Sequence, residues 1–281
     1  MTFTMVRRIG LGGYGDVWLV RDEDGREYAL KKLREHTADA LRFLKQEARK
    51  LLALRGVSGI IGLVSWNMEG DEPFIVMDLA EGSLQKVADR GPMNSFVAAA
   101  IIREVARAVA ETHARGVVHL DIKPANILIK DGRHMLADFG LGKGVQSICM
   151  TMGGRGTPGY MAPEQYDGAL TPACDIYGLG ATFYHLITGQ FPPQHAPLDP
   201  RAVKRQCPAK IAELIQRMTA AQPEDRPSLA EVQQVLDSLL AEHLADKKAA
   251  AEFRRGLLKT GFAIAGVAVL VALFVTIVRS R

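Results

Sequence analysis

The chain has 281 residues, 48% of them hydrophobic and 23% charged, with a formal net charge of +4, enough for one large or two-lobed domain with a sizeable core. Residues 244–281 hold seven Lys/Arg against Asp246 and Glu252, while the rest of the chain holds 28 basic against 29 acidic residues. The basic balance therefore belongs to the tail, and no nucleic-acid partner is expected of the folded part. Cys149, Cys174 and Cys207 show neither metal-ligand spacing nor a disulfide framework, which fits a reducing compartment. The first residues, Met-Thr-Phe-Thr-Met-Val-Arg-Arg, lack the apolar core of a secretion signal.

The stretch Ile9-Gly10-Leu11-Gly12-Gly13-Tyr14-Gly15-Asp16-Val17 opens the first domain. Glycines at 10, 12 and 15 let backbone N–H groups approach phosphates with no Cβ in the way. Such a motif alone is weak evidence for a nucleotide. A dinucleotide fold needs a helix directly after it, but here a strand follows, then a turn at Asp22-Glu23-Asp24-Gly25 and a second strand, Glu27-Tyr28-Ala29-Leu30-Lys31. The strand pattern points Lys31 inward and Lys32 the other way; alone, Lys31 reads equally well as an ordinary strand-end lysine.

Residues 38–54 carry a helical pattern, with Leu41, Leu44, Ala48, Leu51 and Leu52 apolar. Phe43, Glu47, Leu51 and Leu54 share a stripe on it. A carboxylate between apolar neighbours needs a partner, and Lys31 is the expected one; a solvated Glu47, or Glu35 in its place, is the alternative. Strands are expected at 60–65 and 73–77, then Asp78-Leu79-Ala80-Glu81-Gly82-Ser83-Leu84 leading into helix, and a long apolar helix over 96–115 that ends at Gly116.

His119-Leu120-Asp121-Ile122-Lys123-Pro124-Ala125-Asn126 lies between apolar runs, with Asp138-Phe139-Gly140 twelve residues beyond it. Two carboxylates, an ammonium and an amide on one hairpin-like unit suit phosphoryl transfer, which needs an oriented hydroxyl, a held cation and a neutralised triphosphate. Next come a glycine-rich stretch from Leu141 to Tyr160, Ala162-Pro163-Glu164, a helix opening at Asp175, and Pro223-Glu224-Asp225-Arg226-Pro227. Ser228-Leu229-Ala230-Glu231 reads as a capping box.

Together these motifs resemble those of the protein kinases, in order, over residues 1 to about 240. The resemblance implies an α+β, bilobal fold: an antiparallel-sheet N-lobe (1–80) with one main helix, and a mostly helical C-lobe (81–243). It implies ATP and Mg²⁺ (or Mn²⁺) as cofactors. Asp121 then accepts the hydrogen bond of a substrate hydroxyl, and Lys123 neutralises the transferred phosphoryl group. Asn126 and Asp138 ligate the metal. Lys31, held by Glu47, grips the phosphates under the loop of Ile9, Gly10, Gly12, Gly13 and Gly15. Val17, Ala29 and Leu128 sandwich the adenine, Met77 sets the pocket depth, and the backbone around Asp78 and Ala80 bonds the adenine edge. The family assigns Asp175 to bracing the catalytic-loop backbone, Arg226 to pairing with Glu164, and Phe139, His119, Leu51 and Leu63 to a column joining the lobes.

Lysine two residues after Asp121, with Thr157, resembles the serine/threonine branch, so protein Ser/Thr hydroxyls are the expected acceptors, with autophosphorylation. A pseudokinase scaffold would have lost Lys31, Asp121, Asn126 or Asp138, and all four are present. Leu120 departs from the family, many of whose members carry arginine there to pair with a phosphorylated activation segment.

Residues 261–278 contain no charge, and Thr276 is their only polar side chain. This predicts a transmembrane helix over 260–278 after a basic linker at 244–259, with three residues (279–281) beyond it. The expectation is thus a single-pass, C-terminally anchored chain in the cell membrane with its catalytic domain cytoplasmic, as in bacterial membrane-anchored kinases. Small faces at Ala265, Ala268 and Ala272 leave a homodimer open, although no Gly-x-x-x-Gly is present.

Overall fold

The computed structural model describes residues 2–11, 15–35, 37–140, 158–194, 197–249 and 251–252. Five antiparallel strands make the N-terminal sheet: β1 (Thr4–Leu11), β2 (Gly15–Arg21), β3 (Glu27–Leu33), β4 (Leu63–Asn67) and β5 (Phe74–Asp78), in spatial order β1-β2-β3-β5-β4. The period-2 alternation of β3 separates two faces. Leu30 joins Val20 and Val76 in an apolar cluster covered by Phe3, Trp18, Tyr28, Val64 and Phe74. Ala29 and Lys31 face the other way, paired across the sheet with Met77 and Ile75.

Helix α1 (Ala38–Ala53) starts where the Thr37 hydroxyl accepts the Ala40 N–H at 3.2 Å. Its buried positions are Ala40, Phe43, Leu44, Glu47, Ala48 and Leu51. The stripe containing Glu47 is therefore the inner one, whereas Leu52, expected in the apolar set, is exposed. Strand pairing starts at Leu63; of the 60–65 segment, Ile60 makes an isolated bridge with Leu136 instead.

The remainder of the first compact unit (residues 1–236) is mostly helical. Short strand β6 (Gly82–Ser83) and helix α2 (Leu84–Ala88) lead to α3 (Ser95–Ala114), capped by the Asn94 side chain. Strands β7 (Ile127–Lys130) and β8 (Arg133–Leu136) form a hairpin whose Asp131-Gly132 turn has both residues at positive φ, the geometry that matches strand twist. In helix α4 (Pro172–Thr188) every residue from Cys174 to Thr188 is buried, its few polar side chains, such as Asp175 and Thr182, finding hydrogen-bond partners inside. Gly178 lets the loop over 119–126 lie against this helix, since a Cβ there would stand 3.0 Å from the Ile122 carbonyl oxygen. Helices α5 (Pro200–Val203) and α6 (Ala209–Met218) follow, then a helix over 229–249. Ser228 caps that last helix by accepting the Glu231 N–H at 3.2 Å. The expected capping box is only half formed, because the Glu231 carboxylate pairs with Arg217 at 2.7 Å. In the second unit, 237–281, Ser238 bonds Glu242 along the helix at 3.2 Å.

No helix among the described residues is long and apolar enough to cross a membrane. The span expected over 260–278 lies outside the described residues, as do Ala265, Ala268 and Ala272. The fold class is therefore corrected to the bilobal α+β fold, with no membrane helix among the described residues, and the cell-membrane placement that rested on that helix is withdrawn.

One ion pair ties the C-terminal half together. Arg226, its side chain fully buried, donates to both Glu164 oxygens at 2.5 and 2.7 Å. Burial pulls the Glu164 carboxyl upward, but the Arg226 hydrogen bonds outweigh it and hold the pKa below the usual value. A depressed carboxyl contributes stability above its unfolded pKa and loses it as pH falls through the folded one. Arg226→Met should cost about 3–5 kcal/mol at neutral pH, because it strands a carboxylate. Glu164→Gln should flatten the loss of thermal stability on acidification; melting curves across the acid range check both.

Candidate active site

Two clusters meet between the sheet and the helical part. In the first, Lys31 Nζ on β3 stands 2.7 Å from Glu47 Oε2 on α1 and 2.9 Å from Asp138 Oδ1. Burial would depress this ammonium, but the Asp138 and Glu47 carboxylates overcome that and hold it above the ordinary lysine value. Lys32 points away, 3.4 Å from Glu72 and over the Trp18 ring, as strand alternation requires. Glu35 lies exposed before α1 and is not the partner.

In the second cluster, Lys123 Nζ reaches both Asp121 oxygens at 2.9 Å. Asn126 Nδ2 donates to Asp121 Oδ2 and to the Asp121 carbonyl, each at 2.8 Å, which leaves Oδ1 as the amide's remaining acceptor. The loop backbone is held from beneath. Asp175 accepts the His119 N–H at 2.9 Å and the Leu120 N–H at 2.7 Å, and its Oδ2 lies 2.8 Å from His113 Nε2. His119 Nδ1 accepts the Asp121 N–H at 3.2 Å, so Nε2 carries the proton toward the Ala137 carbonyl at 3.0 Å. Burial pushes this imidazole below the usual histidine pKa, and the neutral ring fits both bonds. The His119 ring packs tilted against Phe139, their centroids 4.6 Å apart, and Leu51, Leu63, His119 and Phe139 are all buried.

Two backbone strains mark the site: Leu120 has φ 72° and Asp138 φ 62°. Leucine rarely adopts this region, and outside turns such a conformation persists where surrounding contacts hold it.

The residues expected around an adenine lie on both sheets. Val17 pairs with Lys31 on the adjacent strand, Ala29 with Met77, and Ser83 with Leu128. The Asp78 N–H bonds the Gly62 carbonyl and the Glu81 N–H the Ile129 carbonyl, both at 2.9 Å, so Ala80 stands between anchored neighbours. Ile9 is exposed on β1 and Gly10 pairs with Val17. Gly12 and Gly13 lie outside the described residues. Gly15 is required by packing, since a Cβ there would stand 2.3 Å from the Lys32 carbonyl oxygen.

The residues fit a hard divalent cation with a polyphosphate. Three carboxylates (Glu47, Asp121, Asp138) meet two ammonium groups (Lys31, Lys123), and the buried Glu47 Oε1 has no hydrogen-bond partner. No group of three or more His, Cys, Asp or Glu among the described residues could hold a metal alone.

Spacing did not point to Lys50, whose Nζ donates to the Val118 carbonyl at 3.1 Å, or to Gln165 and His113. These contacts cross between elements, and the only sequence hint was the position of Gln165 directly after Ala162-Pro163-Glu164.

A family model described as the protein kinase domain matches residues 3–240. The serine/threonine-protein kinase PknL of Mycobacterium tuberculosis is 34% identical over 270 residues, covering 88% of this chain and 66% of that protein. PkaA of Streptomyces coelicolor, also described as a serine/threonine-protein kinase, is 33% identical over 256 residues, covering 78% and 46% respectively. A probable serine/threonine-protein kinase, zyg-1 of Caenorhabditis briggsae, is 30% identical over 238 residues, covering 82% and 33%. The chain thus spans between about a third and two thirds of the length of these curated relatives. With its motifs, its two-cluster site and these matches, the chain belongs to the Hanks-type protein kinase family, on the serine/threonine branch, whose members work with ATP and Mg²⁺ or Mn²⁺.

Proposed function

We propose that this chain transfers the γ-phosphoryl group of ATP to serine and threonine hydroxyls of proteins, its own included, with the lobes divided at about residue 80. The observation that carries this reading is the joining of Lys31, Glu47 and Asp138 in one cluster beside Asp121, Lys123 and Asn126 in the next. Lys31, fixed by Glu47, grips the α/β-phosphates. Asp121 accepts the hydrogen bond of the acceptor hydroxyl and turns its oxygen toward the γ-phosphorus, and Lys123 balances charge on the group in transit. Asn126 and Asp138 would hold Mg²⁺, whose contribution when bound is to neutralise phosphate charge. Adenine lies among Ile9, Val17, Ala29, Met77 and Leu128, with its edge on the backbone at Asp78 and Ala80.

The test is radiolabelled transfer from ATP–Mg²⁺ to protein acceptors, followed by phosphoamino-acid analysis. Phosphoserine or phosphothreonine supports the reading. Measurable ATP binding with no transfer would mark a nucleotide-binding scaffold.

Leu120 also bears on control. With no arginine before the catalytic aspartate, an activation-segment phosphate lacks its usual partner. A Ser147→Ala, Thr151→Val variant treated with phosphatase should keep turnover within about threefold of the parent, a change under 1 kcal/mol. Abolished turnover would show that the phosphate is required.

A further inference from the structure

Resting on the phosphoryl-transfer reading, we infer that Gln165 is a positioning residue that registers Asp121 to the substrate-side segment, a coupling made here without phosphate. The strained residue Leu120 is clamped on both sides. Its N–H donates to Asp175 Oδ1 at 2.7 Å, and its carbonyl accepts from Gln165 Nε2 at 3.1 Å. The carbonyl belongs to the peptide group leading directly into Asp121, whose own N–H is held by His119 Nδ1. Both polar atoms of that peptide are therefore fixed, and with them the direction in which the Asp121 side chain leaves the backbone.

Gln165 is 3% exposed, and its other end is also engaged: Oε1 accepts the Ala162 N–H at 3.0 Å. Ala162 can only donate there and Leu120 can only accept, so the amide orientation is set by its partners. One side chain thus spans from the residue before the base to Ala162-Pro163-Glu164, which Arg226 anchors through Glu164. Leu120 has no group with which to make such a link, and Gln165 makes it through the Leu120 backbone. A base displaced by about 1 Å loses up to a hundredfold in rate, so the link should appear in turnover and leave nucleotide affinity untouched.

The experiment compares Gln165→Leu, which removes both bonds, with Gln165→Glu, which keeps the acceptor for Ala162 but turns a carboxylate oxygen toward the Leu120 carbonyl. Steady-state kinetics, thermal unfolding and amide hydrogen exchange over residues 117–123 are read in both variants. The expected result is kcat lowered at least about tenfold in both, KM for ATP within about twofold of the parent, and faster exchange at the His119 and Leu120 amides. The inference is overturned if Gln165→Glu turns over like the parent. It is equally overturned if kcat, ATP affinity and thermal stability fall together while exchange over 117–123 stays unchanged. If the parent chain transfers no phosphate, the functional reading falls, and exchange alone still decides the link: faster in the variants supports it, unchanged rejects it.

Discussion

Asp121→Asn should lower kcat by about three to four orders of magnitude while leaving ATP–Mg²⁺ affinity within about threefold. The substitution is nearly isosteric, and the surrounding ties survive it. The Asp121 carbonyl still accepts from Asn126 Nδ2, and the Asp121 N–H still donates to His119 Nδ1. The lost element is a carboxylate able to accept the acceptor hydroxyl's hydrogen bond as its charge develops. Lys123, which closes on both Asp121 oxygens in this structure, keeps one oxygen acceptor but loses its opposite charge. Single-turnover transfer beside equilibrium nucleotide binding separates the two quantities. A variant that failed to bind ATP would show that Asp121 shapes the nucleotide site.

The second large effect is expected at Lys31. Lys31→Met should cut kcat/KM for ATP at least about a hundredfold, the scale of losing one charge-stabilising donor from a reaction site. It also leaves Glu47 buried beside Asp138 with no ammonium between them. Burial already raises the Glu47 carboxyl, with Lys31 opposing and Asp138 reinforcing the rise, so the variant should take up a proton there. Glu47→Gln should cost less, because Lys31 keeps Asp138 at 2.9 Å. The double variant should be far from additive, with a coupling of about 1–3 kcal/mol in transition-state free energy. Additive losses would show that the 2.7 Å pair does not act as a unit. The pH dependence follows from the same cluster. With the Lys31 pKa raised, its stabilising contribution is fully present below the unfolded lysine value and is lost only in strongly alkaline solution. Wild-type turnover should therefore show no basic limb from Lys31 between about pH 6 and 9.

Much of the site was legible because its chemistry is carried by local motifs. His119 to Asn126 places Asp121, Lys123 and Asn126 on one short loop, and their mutual contacts need only that loop's own turn. Lys31 was readable from strand alternation, and Glu47 from its place on an apolar helical stripe. Other ties join residues far apart in the chain: Gln165 to Leu120, Lys50 to Val118, and His113 to Asp175. No periodicity records them, because they depend on how helices and loops pack. Leu52 shows the converse, an apolar residue in a helical pattern that packing left in solvent.

Sequence by itself determined the order of the main elements, the two lobes and most of the side chains that come together in the two clusters. Period-2 and period-3.6 patterns encode which face is buried, and short motifs bring their own geometry. Tertiary structure alone decided that Leu120 is held at φ 72° between Asp175 and Gln165. It also decided that Gly15 answers to a neighbouring carbonyl and that Glu231 pairs with Arg217 instead of closing its capping box. Each of these depends on where a distant backbone or side chain comes to rest, and a residue's chain neighbours hold no record of that position.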